Sequence, residues 1–157
     1  MEKKLFILLL LVFGLFACNN NKVFEQHQKI DNNTWNRFKS LKFNAKIEKA
    51  GNYDIFVAIR HANYYEYKNL NIDFAMYSTT GEDRIKPLQL MLRDEENNFV
   101  GKGAGDIWDF SFPVFENIAL DDSANYRFEI DNVMPIYELP GIMEVGIIIE
   151  KTKKEDK

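Results

Sequence analysis

The chain has 157 residues, of which 46 % are hydrophobic and 14 % aromatic, enough apolar surface for one domain with a packed core. Its formal net charge is −4, from 20 basic and 24 acidic residues, and the basic residues form no patch along the sequence. This balance lacks the electrostatic pattern of nucleic-acid-binding proteins, so no nucleic acid partner is expected.

The first eighteen residues have the three zones of a secretory signal. Lys3 and Lys4 supply positive charge, residues 5–16 form a continuous apolar run, and a small residue precedes Cys18. The apolar run is too short for a helix that spans a bilayer, which needs about 20 residues. We therefore predict that residues 1–17 are a signal peptide and not a membrane anchor.

Cys18 is the only cysteine of the chain, so it has no partner for an intramolecular disulfide. The preceding residues 15–17, Leu-Phe-Ala, resemble the bacterial lipobox, although Phe16 is larger than the residue usual at its position. A free thiol would be a liability in an oxidising compartment. We predict that Cys18 begins the mature protein and carries diacylglycerol and an N-acyl chain such as palmitate. The alternative is an ordinary secreted protein with a chance cysteine.

Residues 18–33 are predicted to be a lipidated tether, because they are mostly polar and show no strong period. The apolar Val23, Phe24 and Ile30 are expected to dock its end onto the domain. Position 19 is Asn, not the Asp that commonly retains lipoproteins in the inner membrane. No acidic cluster resembling a surface-export signal follows Cys18. These features predict an outer-membrane protein that faces the periplasm.

Residues 34–151 are predicted to form an antiparallel β-sandwich of about 7–8 strands, with an open β-barrel as the alternative. The two predicted strands at 41–48 and 53–60 are joined through Gly51-Asn52 and are expected to form a hairpin. Residues 145–149 include β-branched residues on both faces, which predicts a central strand. A short helical turn is possible at 115–119, and 152–157 form a charged tail. Alternating apolar and polar residues predict strands at 41–48, 53–60, 70–76, 88–92, 99–100, 108–112 (ending at Pro113), 126–130 and 145–149.

No catalytic or metal-binding motif is found in the sequence. Its two histidines, His27 and His61, lack partners at recognisable spacing and are predicted to lie on the surface. The acidic runs 94–96 and 121–122 lack the alternating frame of a calcium loop and are predicted to be solvated turns. The glycine-containing segment 101–106 is followed by no helix, so a bulge or tight bend is expected instead of a phosphate loop.

Aromatic residues offer a possible binding surface. Tyr64, Tyr65 and Tyr67 follow one another in a predicted loop and could form a platform for a sugar or a peptide, as could the pair Trp35 and Trp108. Trp108 also alternates with other aromatic side chains along its strand, which favours core packing for that segment. The three tyrosines are therefore the candidate contact residues for a partner or a glycan.

Several segments occur in an order and spacing similar to those of a known family. The last of them, Leu-Pro-Gly-Ile-Met-Glu-Val-Gly at 139–146, resembles a C-terminal L-x-G-I-x-x-V-G pattern. The others are 23–26, Trp35, 53–60, 63–64, 67–70, 101–103 and 106–107. Together with the lipobox, they resemble the gliding-motility lipoprotein family called GldH over nearly the whole mature chain.

The resemblance implies a role in the envelope machinery by which certain bacteria glide over surfaces, which is associated with a secretion system that delivers adhesins. It implies no enzymatic activity, cofactor, metal or catalytic residue. We therefore predict a non-catalytic lipoprotein that is held to the membrane by its lipid and contacts envelope proteins of the gliding and secretion machinery. The alternative is an envelope-tethered module that binds a glycan or polymer through its tyrosines.

Overall fold

The computed structural model describes residues 21–79, 81, 83–121 and 123–153. The predicted signal peptide, Cys18 and most of the predicted tail lie outside these ranges. Among the described residues there is one 3-10 turn, Asp31–Asn33, and no helix long and apolar enough to cross a membrane. The strands are β1 Lys22–Lys29, β2 Thr34–Asn36, β3 Leu41–Ile47, β4 Gly51–Ala62, β5 Asn69–Ser78, β6 Arg84–Met91, β7 Lys102–Ala104, β8 Ile107–Leu120, β9 Ala124–Asn132, β10 Glu138–Pro140 and β11 Ile142–Lys151.

These strands form two main antiparallel sheets around one core, so the predicted all-β sandwich is confirmed. The larger sheet has the order β1-β11-β4-β8-β7, and the smaller sheet has the order β3-β9-β5-β6. Strands β2 and β10 form a separate two-stranded ribbon. Strand β3 shows why the sheets stack, because its alternate residues Leu41, Phe43, Ala45 and Ile47 are buried while those between them are exposed.

The structure has more strands than the seven or eight predicted. Strands β2, β7 and β10 have three residues each, too few to leave a period of two in the sequence. The strands predicted at 41–48, 70–76 and 126–130 correspond to β3, β5 and β9. The predicted central strand at 145–149 lies in β11, which pairs with β1 on one side and β4 on the other.

Strand β1 corrects the predicted tether, because residues 22–29 belong to the sandwich. They pair with β11 from Lys22 opposite Glu150 to Lys29 opposite Glu144. As an edge strand with both faces largely exposed, β1 is held by its backbone ladder and needs few apolar side chains. Of the three residues predicted to dock this segment, Ile30 is buried and Phe24 packs against the core, whereas Val23 is exposed.

Strands β3 and β4 do not form the predicted hairpin. Strand β3 pairs with β9, whereas β4 pairs with β11 and β8, so residues 48–50 cross between the sheets. Each strand buries one apolar face, and these faces meet across the core. The alternation indicated two strands correctly but carries no information about their hydrogen-bonding partners.

Strand β8 continues through Pro113 to Leu120, so both the predicted stop and the possible helical turn at 115–119 are wrong. Strand β7 pairs only with residues 107–109 of β8, which leaves the other edge of β8 unpaired at Pro113. A missing N–H at that edge costs no ladder hydrogen bond. Asn117 has a φ of 54° and lies within this irregular stretch.

The sandwich has two distinct ends. At the N-terminal end lie Asn21, the 48–50 connection and residues 152–153, and the amide of Thr152 donates to the carbonyl of Asn52 at 3.0 Å. At the ribbon end lie the β2–β10 ribbon and the 63–68 loop. Strand β4 has 12 residues and runs from one end to the other, a length of roughly 35–40 Å.

Candidate functional site

The predicted tyrosine platform does not form. Tyr65 is fully buried, and its hydroxyl donates to the carbonyl of Asn69 at 2.9 Å. Burial raises the pKa of Tyr65, which keeps that hydroxyl protonated. The half-buried ring of Tyr67 packs edge-on against Tyr65, with 5.7 Å between ring centroids. Only Tyr64 of the three is exposed, so the structure offers one isolated tyrosine where the sequence predicted three contact residues.

Gly141 explains how the 63–68 loop packs so closely on the ribbon. Its φ is +92°, and a Cβ there would lie 3.0 Å from Tyr65 Cα. Its amide donates to the carbonyl of Asn33, and its carbonyl accepts from the amide of Ala62, both at 2.8 Å. A side chain at this position would force these segments apart. The glycine therefore allows the backbone of Tyr65 to lie against the ribbon.

His61 is also buried, which corrects its predicted surface position, whereas His27 is exposed as predicted. The His61 ring lies 4.8 Å from Phe99 and 5.8 Å from Tyr65, centroid to centroid. The guanidinium of Arg93 stacks on the Phe99 ring, at 3.6 Å from its centroid. His61 Nδ1 lies 3.2 Å from the carbonyl of Ala62, and Nε2 has no hydrogen-bond partner among the described residues.

The burial of His61 gives stability a pH dependence of defined sign. Desolvation, with a smaller contribution from Arg93, lowers its pKa below the unfolded value of about 6.5. The unfolded state then binds more protons, so this stabilisation is complete above about pH 6.5 and is lost as pH falls toward the lowered pKa. We expect the urea midpoint to fall between about pH 7.5 and about pH 5.5. His61→Phe should flatten this dependence, and an unchanged slope in that variant would contradict the assignment.

An ion-pair network crosses the outer face of the larger sheet. Arg60 donates to both carboxylate oxygens of Asp109, at 2.7 and 3.2 Å, and to Glu144 at 3.0 Å. The Asp109 hydrogen bond raises the pKa of Arg60. Beside the network lies an open groove of about 540 Å³ that His27 also lines. Both acids are engaged by one guanidinium, which suits cross-strand stabilisation better than acid–base chemistry.

The other candidate motifs occupy structural positions. No group of acidic, histidine and cysteine side chains in the described ranges could hold a metal ion. Asp94 accepts the amide of Asn98 at 2.8 Å within a turn, as predicted for the first acidic run. Gly101 has a φ of +112° before the short β7–β8 hairpin, which confirms the predicted bend. Trp35 is fully buried, and Trp108 is half-buried against Phe99, so the two tryptophans form no platform.

The ribbon end carries an aromatic pair that the sequence did not indicate. Phe38 and Tyr137 are 77 % and 69 % exposed, yet their rings contact each other at 5.7 Å between centroids. The amide of Arg37 donates to the carbonyl of Tyr137 at 2.8 Å, and the amide of Phe38 donates to Asn36 Oδ1 at 2.8 Å. The two aromatics lie far apart in the chain in separate loops, so no local pattern could have paired them.

This pair, Phe38 and Tyr137, is the strongest candidate contact site among the described residues. Both loops are held by backbone hydrogen bonds, so the rings are presented in a defined arrangement. Exposed aromatic side chains with few rotatable bonds contribute strongly to protein–protein interfaces. The surrounding groups are polar, since Asn36 donates to Glu138 at 2.6 Å directly beside the rings. An apolar centre with a polar rim is the usual arrangement of such contact sites.

Two relatives match the chain over nearly its whole length. Over 156 residues the chain is 27 % identical to a gliding motility lipoprotein GldH homolog of Christiangramia forsetii, covering 94 % of both chains. It is 23 % identical over 151 residues to the gliding motility lipoprotein GldH of Flavobacterium johnsoniae, covering 92 % of this chain and 94 % of the relative.

Among solved structures, a protein from Sulfurospirillum deleyianum is similar with a TM-score of 0.42 and 13 % identity, covering 84 % of this chain and 99 % of that one. Residues 22–149 match the model of a family described as GldH lipoprotein. This range runs from the start of β1 almost to the end of β11. The chain therefore belongs to the GldH lipoprotein family.

Proposed function

We propose that this protein is a non-catalytic, lipid-anchored component of the cell envelope that supports gliding motility through protein–protein contacts. The observation that carries the proposal is that the attachment point of the chain and the exposed aromatic pair lie at opposite ends of the sandwich. The chain enters the fold at Lys22, only four residues after Cys18, and the exposed Phe38–Tyr137 pair lies at the opposite end. Relatives that match nearly the whole chain are named gliding motility lipoproteins, which supports the same assignment.

In this proposal, residues 1–17 are removed as a signal peptide and Cys18 receives diacylglycerol and an N-acyl chain. One acyl chain binds a membrane only marginally, so stable anchoring needs several. Asn19 and the absence of acidic residues directly after Cys18 support an outer-membrane position with the domain facing the periplasm. The ribbon end would then point away from the bilayer toward envelope proteins of the gliding and secretion machinery.

The alternative of a glycan-binding module is not supported by the positions of the three tyrosines. Its proposed contact surface needed Tyr64, Tyr65 and Tyr67 on one exposed face. Tyr65 instead fills the core and Tyr67 is half-buried beside it. A protein partner at the Phe38–Tyr137 pair is the better-supported contact.

The double substitution Phe38→Ala with Tyr137→Ala tests the proposal in cells. We expect the spreading of colonies to be lost or strongly reduced while protein amount and membrane fractionation stay normal, because both rings are exposed and their removal opens no cavity. Ile85→Ala is the matched control, since Ile85 is 70 % exposed on a different strand. Unchanged spreading of the double variant would contradict a role of the ribbon end.

A photo-crosslinking amino acid at position 137 identifies the partner directly. We expect crosslinks to an envelope protein from position 137 and not from position 85. Crosslinks of equal strength from both positions would indicate non-specific proximity and would argue against a dedicated contact at the ribbon end.

A further inference from the structure

The N-terminal end of the sandwich lies very close to the proposed lipid. The carbonyl of Asn21 accepts a hydrogen bond from the amide of Lys151 at 2.7 Å, and Lys22 already pairs with Glu150. The chain is therefore fixed to the larger sheet from Asn21 onward. Three residue steps separate Asn21 from Cys18, and a fully extended chain covers at most about 11 Å in three steps.

We propose that the N-terminal end of the sandwich rests on an anionic phospholipid surface, with Lys49, Lys151 and Lys153 contacting the phosphate groups. This inference rests on the proposed acylation of Cys18. The short connection places this end at the headgroups, in contrast to a long tether that would let the domain stand off the membrane.

The surface at this end suits headgroups. A hollow of about 290 Å³ is lined by Val23, Lys46, Lys49 and Lys151, among others, and lies beside the start of β1. A wider hollow of about 890 Å³ adjoins it and is lined by Lys151 and Lys153. Two shallow concavities that share a lysine thus open next to the point where the chain leaves toward Cys18.

The turn that presents Lys49 is held in place by Tyr53. The buried tyrosine ring carries a hydroxyl that donates to the carbonyl of Lys49 at 2.7 Å. The lysine side chain itself is exposed, and its long apolar stem allows the ammonium group to reach outward to a phosphate.

Three of the carboxylates nearby are engaged within the protein. Glu48 lies 3.0 Å from the ammonium of Lys46, and Glu25 lies 2.6 Å from that of Lys22. Asp54 accepts hydrogen bonds from the amide of Asn117 at 2.8 Å and from the hydroxyl of Thr152 at 2.7 Å.

Three further acidic residues lie at this end. Glu150 is half-buried opposite Lys22 on β1, exposed Glu116 adjoins Asn117, and exposed Asp121 follows Leu120, which pairs with Gly51. By contrast, none of Lys49, Lys151 and Lys153 forms an ion pair with another residue of the described ranges. These three ammonium groups are therefore available to an external anion. Within a Debye length of an anionic leaflet, such groups are attracted to the lipid surface.

The orientation is tested on the intact lipoprotein in vesicles of phosphatidylethanolamine and phosphatidylglycerol that contain a headgroup-attached quencher. Single fluorophores are placed through Ala50→Cys at the N-terminal end or Glu95→Cys in the turn beyond β6, both exposed positions. We expect quenching at position 50 to be several-fold stronger than at position 95. Equal quenching, or stronger quenching at position 95, would overturn the orientation.

The lysines are tested in the same vesicles with the fluorophore at position 50. Combining Lys49→Gln, Lys151→Gln and Lys153→Gln should reduce quenching to the level found with pure phosphatidylcholine, as should high salt. The matched control combines Lys39→Gln, Lys68→Gln and Lys102→Gln at the ribbon end and should change nothing. If the first triple variant has no effect, the phosphate contacts are overturned, and an interface with a protein at this end becomes the better account.

These outcomes separate the inference from the proposed function. A protein that washes off the vesicles lacks the acyl anchor, which overturns the proposed function and this inference together. A protein that stays bound but shows no difference between the two labels retains its anchor and overturns only the orientation.

Discussion

Replacing Trp35 with alanine is expected to lower the free energy of unfolding by about 3–5 kcal/mol. Trp35 is fully buried, pairs with Leu139 across the ribbon and donates its indole N–H to the carbonyl of Lys39 at 3.0 Å. Its own carbonyl accepts the side-chain amide of Asn132 at 3.3 Å, which ties the ribbon to β9. The substitution leaves a large cavity and removes the partner of the Lys39 carbonyl.

Urea denaturation of the mature protein measures this effect, with Phe38→Ala as the matched control. Phe38 lies three residues farther along the chain but is mostly exposed, so its loss should change stability by less than about 0.5 kcal/mol. Similar destabilisation by the two variants would contradict the separation between a buried anchor of the ribbon and an exposed contact residue.

The fold class could be predicted from the sequence because inward and outward side chains alternate strongly in strands such as β3 and β9. In β3 every buried residue is apolar, and every residue between is exposed. Strand partners could not be predicted in this way. The alternation is the same whether β3 pairs with β4 or, as observed, with β9.

Strand β1 was missed for a different reason. At the edge of a sheet, the backbone ladder can hold a segment whose side chains are mostly polar and exposed. Its hydrogen bonds to β11 are long-range and leave no local period. The consequence is functional, because the long predicted tether shrinks to the few residues between Cys18 and Lys22.

The candidate site could not be predicted from the sequence, because the exposure of loop aromatics depends on segments that are distant in the chain. The burial of Tyr65 accompanies a close backbone approach of Gly141, whose positive φ cannot be inferred from the strand pattern around it. Phe38 and Tyr137 each look unremarkable in the sequence, and only the β2–β10 ribbon brings them together. Packing between distant segments determined both outcomes.

The second large effect is expected at Cys18, the one residue with a predicted covalent role. Cys18→Ser should abolish acylation and release the domain from the membrane fraction. The fold should be retained, because the strands begin at Lys22. Spreading of colonies should be lost, since a soluble domain cannot hold its ribbon end at a fixed distance from the bilayer.

The most direct measurement combines intact mass with fractionation of the natural protein and the Cys18→Ser variant. The natural protein should begin at Cys18, carry the mass of diacylglycerol plus an N-acyl chain and remain with the membrane. The variant should lack that added mass, appear in the soluble fraction and fail to support spreading. A natural protein without lipid, or normal spreading of cells that hold only the released variant, would contradict the account.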